Sequence, residues 1–259
     1  MTPRSLRPVA IPPVGDVAIP HSAMILAAGL GTRMRPLTET MPKPLVRVRG
    51  RPLIDCALNR LQEVGVETCV VNVHHLADQV RAHLAHRIQP GIVISDETDE
   101  LLETGGGVRK ALPLLGDGPF YVINGDALWL NGVRPALTRL AAHWDDSRMD
   151  ALLLVLRLVG AHGYEGRGDF FLDPLGRPRR RLQHEIAPFV NAGIQILSPR
   201  LFEDTPEGPF SLNRLYNRAL DEERLWALPH DGEWYHVGTL AGLALAEDRL
   251  GEHSPCSDQ

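Results

Sequence analysis

The chain has 259 residues, 44% hydrophobic and 23% charged, with a formal charge of −5, which is the composition of an ordinary globular domain. No overall basic field is present to drive non-specific nucleic-acid binding, so nucleic acid is not an expected partner. The most apolar later run, residues 151–156, is far short of the roughly 20 residues a membrane-spanning helix needs, and no membrane association is expected.

In chain order, residues 1–22 carry Pro3, Pro8, Pro12, Pro13 and Pro20, which break up the continuous apolar stretch a signal peptide requires. They read as an irregular Pro-rich arm, and the expected location is the cytoplasm. The three cysteines, Cys56, Cys69 and Cys256, are too scattered for a disulfide framework or a CxxC metal site, which suits a reducing compartment. From residue 23, short apolar runs alternate with helical patterns: AMILAA (23–28), a helix over 54–64, TCVVNV (68–73), a helix over 76–87 and GIVIS (91–95). That alternation predicts an α/β domain with a largely parallel sheet. FYVIN (120–124) and ALLLVL (151–156) flank a helical stretch around 134–143 and read as strands buried on both faces. Beyond about residue 160 come turn-rich pieces, a strand over 189–197 and a last helix over 241–250, and this half reads as a lid on the same sheet. One domain over 23–250 is expected, with a frayed polar tail at 251–259.

The strongest local signal is LAAGLGTRMRPLTETMPKPL, residues 26–45, directly after the first strand. Small residues at Ala27, Ala28, Gly29 and Gly31 let backbone N–H groups approach a triphosphate, and Arg33 and Lys43 can neutralise its charge. The loop is not a Walker A motif, because no Gly-Lys-Ser/Thr follows. Nor is it a complete GxGxxG, because Met34 stands at the third glycine. Pro36, Pro42 and Pro44 stiffen the segment around Lys43, which argues against a plain glycine turn with two solvated cations.

These residues resemble the sugar-1-phosphate nucleotidyltransferase family, whose signature reads GxGTRxxPLT followed by PKPL; Gly29, Gly31, Thr32, Arg33, Pro36, Leu37, Thr38 and residues 42–45 match it. The resemblance implies a three-layer α/β/α Rossmann-like fold with a mixed, mainly parallel sheet, of the nucleotide-diphospho-sugar transferase type. It divides the domain into a nucleotide half over about 23–160 and a sugar half over about 161–250. Arg33 and Lys43 would hold the triphosphate, with Ala28, Gly29, Gly31, Thr32, Glu103, Gly106 and Asn124 around the nucleotide. Asp126, in FYVINGDALW, would hold Mg²⁺ or Mn²⁺; taken alone, it also reads as a helix cap. LETGGG, with Glu103, Thr104 and three glycines at a helix start, is similar to the base loop of uridylyltransferases, particularly the branch acting on N-acetylmuramate 1-phosphate. The partners implied are UTP and that sugar 1-phosphate, in peptidoglycan recycling, by a monomer or small homo-oligomer. A mannose 1-phosphate guanylyltransferase using GTP is the close rival, and a nucleotide-sugar-binding regulatory protein with little catalysis is the rival of another class.

The family pattern further points to Asp169, in GRGDFFL, and to Asn191 and Glu185 at the sugar. The same GRGD segment also reads as a β-turn whose Arg167–Asp169 pair is a surface ion pair. One position departs from the family. Where most members carry a second metal-binding aspartate in Trp-x-Asp-x-Gly-Thr, this chain reads EWYHVGT, with His236 in that place. Imidazole is a poorer Mg²⁺ ligand than a carboxylate, because hard cations prefer oxygen. The histidines His83 and His86 read as a solvated helix face rather than a zinc site, and His74 is placed near the active site by its position after a strand.

Overall fold

The computed structural model describes residues 17–251. Most of the predicted arm, residues 1–16, and most of the predicted tail, residues 252–259, lie outside the described residues. The part of the arm that is described is not loose, because Val17 and Ile19 pack against the core and His21 O accepts the Glu67 and Thr68 amides.

The nucleotide half follows the predicted alternation. Strand β1 (Ser22–Leu26) leads through α1 (Leu37–Thr40) and a two-strand ribbon, β2 (Arg47–Val48) and β3 (Arg51–Pro52), into α2 (Leu53–Glu63). There follow β4 (Thr68–Val73), α3 (Ala77–Leu84), β5 (Gly91–Asp96), α4 (Glu103–Leu115), β6 (Phe120–Asn124), β7 (Ala127–Trp129), α5 (Ala136–His143) and β8 (Ala151–Arg157). The second half adds β9 (Ala161–His162), β10 (Phe170–Leu172), β11 (Pro178–Arg180), β12 (Phe189–Leu197), α6 (Leu212–Asp221), β13 (Leu225–Pro229), β14 (Trp234–His236) and α7 (Leu240–Leu250).

Strands β5, β4, β1 and β6 lie side by side in parallel, and β13 lies parallel to β8. Strand β12 runs against both β6 and β8, so it joins the two parallel groups into one nine-stranded sheet. The expected mixed, mainly parallel sheet is present, but the second half is more than a lid: β12 is an interior strand. Alternating side chains divide between two faces, as the strand period requires. Ala23, Ile25, Val71, Tyr121 and Ile123 face α2, α3 and α5, whereas Met24, Val70, Phe120 and Val122 face α4 and α6. Helices on both faces complete the three layers.

Helix α6 and strand β13 are absent from the sequence reading. The helix has a usable signal, with Leu212, Leu215, Tyr216 and Ala219 buried at helical spacing and the Ser211 side chain capping the Asn213 amide. A third apolar cluster includes Met34, Val46, Leu53, Leu128, Tyr235 and Val237, beneath the loop after β1 and the small sheet β7–β14–β9. Met34 is fully buried there, which accounts for a large apolar residue where a dinucleotide loop has glycine.

Candidate active site

Strands β1, β4 and β6 are parallel and end at one edge of the sheet, so the loops after β1 and β6 meet there with Asn72 near the end of β4. That edge, beyond the carboxyl ends of strands, is where open α/β sheets bind ligands. A cavity of about 390 Å³ occupies it, lined among others by Ala28, Gly29, Lys43, Glu103, Asn124 and Asp126. Six predicted site residues, taken from segments up to about a hundred residues apart in sequence, therefore share one cavity.

The phosphate loop owes its shape to local constraints. Gly31 has φ +63°, and a Cβ there would stand 2.9 Å from the Thr38 side chain. The Thr38 hydroxyl donates to Gly31 O at 2.8 Å, and His75 Nε2 donates to Thr38 O at 2.9 Å. Gly29 is different, since a Cβ there would meet no atom within 4 Å. Packing does not demand glycine at that point, and its absent Cβ leaves the backbone open to close approach. The amides of Ala28 and Gly29 donate to no group among the described residues, which leaves them available to an anion. Thr32 and Arg33 are exposed on the loop just beyond.

Lys43 Nζ donates to Asp126 Oδ2 at 2.6 Å, both side chains being mostly buried. Burial alone would raise the Asp126 pKa. The Lys43 ammonium, assisted by Arg33, outweighs it and holds the carboxyl below its usual value. Arg33 is thus close enough to act on Asp126 electrostatically. The register of the small sheet sets His236 opposite Ala127, next to Asp126. The imidazole stacks on Trp234 at 5.8 Å and meets the Tyr164 ring edge-on at 6.4 Å. Gly238 leaves room for it, since a Cβ there would lie 2.2 Å from His236 Nε2. Burial pushes the His236 pKa down, and the cations Lys43 and Arg33 add to that against the pull of Asp126. His236 is therefore neutral at neutral pH.

Asp126 is the one hard oxygen donor of this group, and among the described residues no cluster of three or more His, Cys, Asp or Glu could hold a metal by itself. This donor set fits Mg²⁺, which protein sites commonly hold through one or two carboxylates, the remaining oxygens coming from phosphates and water. His83 is committed elsewhere, bonding Asp55 at 2.8 Å. Beside the cavity, His74 Nδ1 bonds Glu97 O at 2.6 Å.

The base loop departs from its expected form. Glu103 and Thr104 line the cavity, and Glu103 takes a left-handed φ of +57°, unusual for a side chain with a Cβ. The three glycines after them do not lie open to a ligand. Gly105 and Gly106 both donate to Phe210 O, Gly105 abuts the Phe210 ring and Gly106 the Gly208 carbonyl. Gly106, expected at the nucleotide, is buried against residues 208–210 because close packing of that segment on α4 excludes a Cβ.

In the second half, Asp169 Oδ2 accepts the Asn191 amide at 2.9 Å, and Asn191 Oδ1 accepts the Gly193 amide at 2.9 Å. Gly193, at φ +71°, packs on Asn124, with space for a Cβ only 2.5 Å from its Nδ2. Asp169 and Asn191 are thereby joined through β12 to the cavity wall. Among the described residues Asp169 makes no ion pair with Arg167; its charge acts on Arg180 and Tyr164. Glu185 has both oxygens engaged, by the Arg179 guanidinium and the Leu182 amide, and closes its own surface loop.

Sequence reasoning overlooked Asn72, a cavity-lining residue that is 2% exposed. Its signal was an amide inside TCVVNV, an otherwise apolar run, since a buried polar group needs a committed partner.

Residues 22–158 match the family model described as nucleotidyl transferase. The chain is 47% identical over 237 residues to an N-acetylmuramate alpha-1-phosphate uridylyltransferase of Caulobacter vibrioides, a match covering 90% of this chain and 98% of that one. Its identity to the Neisseria meningitidis serogroup B protein of the same name is 35% over 239 residues, covering 88% and 98%. A solved structure described as a putative glucose-1-phosphate thymidylyltransferase from Bacillus anthracis superposes with a TM-score of 0.76 at 18% identity, covering 90% of this chain and 96% of that chain. That likeness establishes the shared fold. No helix among the described residues is long and apolar enough to cross a membrane.

Proposed function

We infer the substrates from a fixed premise, that the chain belongs to the nucleotidyl transferase family and is an enzyme of that kind: the reading supported best is transfer of uridylyl from UTP to N-acetylmuramate 1-phosphate, giving a nucleotide sugar and pyrophosphate. The observation that carries it is the near full-length 47% match to the Caulobacter protein, together with convergence of Lys43, Asp126 and the phosphate loop on one cavity.

A phosphate oxygen of the sugar 1-phosphate attacks the α-phosphorus of UTP; that P–O bond forms as the bond to the β-phosphate breaks, and pyrophosphate leaves. The attacking phosphate is already anionic, so no general base is required. The chain's contribution is positioning and charge. The free amides of Ala28 and Gly29 receive phosphate oxygens, and Arg33 and Lys43 neutralise the charge that develops on them. Glu103 faces the base, and Asp169 and Asn191 orient the sugar. Asp126 would hold a divalent ion, which would supply charge neutralisation at the reacting phosphates. Neutral His236 would hydrogen-bond a phosphate oxygen or a water bound to that ion. The cytoplasm, where UTP is made, is the location that this reading favours.

The test is pyrophosphate release from UTP, GTP and TTP, each paired with the 1-phosphates of N-acetylmuramate, glucose and mannose, in Mg²⁺ and Mn²⁺. UTP with N-acetylmuramate 1-phosphate should give the highest kcat/KM. A preference for GTP with mannose 1-phosphate would replace the assignment, and tight nucleotide binding without turnover in any pairing would mark a regulatory protein.

A further inference from the structure

Beneath the cavity, outside the groups given a role above, lies a polar pair with almost no access to solvent: Asn72, 2% exposed, and Glu97, 1% exposed. Asn72 Oδ1 accepts the Ala27 amide at 2.7 Å, and Asn72 Nδ2 donates to Glu97 Oε1 at 2.8 Å. Glu97 Oε2 accepts the amide of Leu102, the residue before Glu103, at 3.4 Å. Gly107 of α4 leaves room for the pair, because a Cβ there would lie 2.8 Å from Glu97 Oε1 and 3.0 Å from Asn72 Nδ2.

We propose that Glu97 is a positioning residue: through Asn72 it fixes the Ala27 peptide at the start of the phosphate loop and ties that loop to the segment bearing Glu103. The donor and acceptor directions at Asn72 require such a partner. An asparagine amide has two ends of similar shape, and if Asn72 were flipped its NH₂ group would face the Ala27 N–H, donor against donor. Glu97 Oε1 accepts from Nδ2 and so holds that end toward itself and Oδ1 toward Ala27. With Ala27 fixed at the end of β1, the next two amides, Ala28 and Gly29, line the cavity without partners among the described residues. The Ala27 amide needs an acceptor, which Asn72 supplies, and the carboxylate of Glu97 is what keeps that acceptor turned toward it. The arrangement is explained by what it holds in place.

The inference rests on nucleotidyl transfer at this site and not on which base is used. The variants are Asn72→Asp, Glu97→Gln and the double variant Asn72→Asp/Glu97→Gln in the full chain. Asn72→Asp still accepts from Ala27 but faces Glu97 with a second carboxylate. In the double variant the glutamine amide donates to the new carboxylate, and both hydrogen bonds return with their direction reversed at one end. Nucleotide affinity is read by calorimetry with UTP and with GTP, alongside KM for the sugar 1-phosphate and the melting temperature. A wrong base assignment then appears as wild type preferring GTP, and the variants remain comparable on that nucleotide. Asn72→Asp should weaken nucleotide binding about tenfold or more, in line with one spoiled buried hydrogen bond. The double variant should recover most of that loss, with the sugar-phosphate KM moving less than about twofold. A double variant no better than Asn72→Asp, or equal losses for both substrates, overturns the proposal. Should Asn72→Asp fail to fold, Glu97→Gln decides alone, because it keeps the shape and gives up one acceptor: weaker nucleotide binding by a few-fold supports the role, and unchanged binding overturns it.

Discussion

Lys43→Ala should move two properties of the enzyme in opposite directions. Without substrate, Lys43 Nζ sits 2.6 Å from Asp126 Oδ2, so the lysine that is to meet the triphosphate occupies the carboxylate that is to meet the metal. At an effective dielectric near 20, the bare attraction across that distance is about 6 kcal/mol, most of it offset by desolvation of the two charges. A net value of about 1.5–3 kcal/mol, typical of a hydrogen bond to a charged group, is what a metal ion must overcome. Removing the lysine should therefore tighten divalent-ion binding to the nucleotide-free enzyme by about 10- to 100-fold at neutral pH. Turnover should fall by about 10²–10³-fold, the usual loss for one preorganised charge-stabilising donor. Mn²⁺ binding followed by electron paramagnetic resonance gives the first quantity, and initial rates of pyrophosphate release give the second. A slower enzyme whose Mn²⁺ affinity is unchanged would remove Asp126 from the metal site, and normal turnover would remove Lys43 from the mechanism.

His236→Asp should slow turnover in Mg²⁺ by about tenfold or more, because a second carboxylate beside Asp126 would share one lysine in a half-buried site fitted to a neutral ring; Mg²⁺ and Mn²⁺ titrations of rate check this, and a faster variant in Mg²⁺ would show that imidazole is a defect. Asp96 is held down to about 2, chiefly by hydrogen bonds from the Thr98 side chain and amide. Its contribution to stability is present above the ordinary aspartate value near 4 and is lost as pH falls toward 2, so the melting advantage of wild type over Asp96→Asn should shrink to nothing across that window. Gly193→Ala should lower the melting temperature by about 5 °C or more, since it combines a left-handed φ with a contact 2.5 Å from Asn124 Nδ2. Nucleotide affinity should fall with it, because Asn124 lines the cavity, and a variant as stable and active as wild type would contradict that contact.

The parallel core was legible because its strands are buried on both faces, so TCVVNV, FYVIN and ALLLVL stand out as short apolar runs between helical patterns. Lys43 and Asp126 were legible for another reason: each follows a local motif whose chemistry needs that residue type. What escaped was non-local. Nothing near residue 97 announces that Glu97 turns back to Asn72, since the contact depends on β5 lying beside β4. The same applies to LETGGG, where the three glycines suggested an open surface for a base. The neighbours of Gly105 and Gly106, Phe210 and Gly208, lie about a hundred residues further along the chain, and Gly107 makes room for Asn72 and Glu97, which only the packed structure shows. The engagement of Glu185 was hidden in a related way, because its Arg179 partner lies in a turn-rich segment whose pairing the sequence does not reveal.

The interior position of β12 bears on what can be inherited or engineered as a unit. Residues 22–158, the stretch the family model matches, include β6 and β8 but not the strand between them. Expressed alone, that stretch would leave β8 with neither of its partners, β12 or β13, and β6 with an open edge. Such edges template association with other chains. The recognisable motif region is thus shorter than the smallest piece that closes its own sheet. A chimera that exchanges acceptor specificity between relatives has to carry β12 along with its ladder partners, so the seam belongs in a loop such as the one after β12 rather than at the boundary where the motifs end.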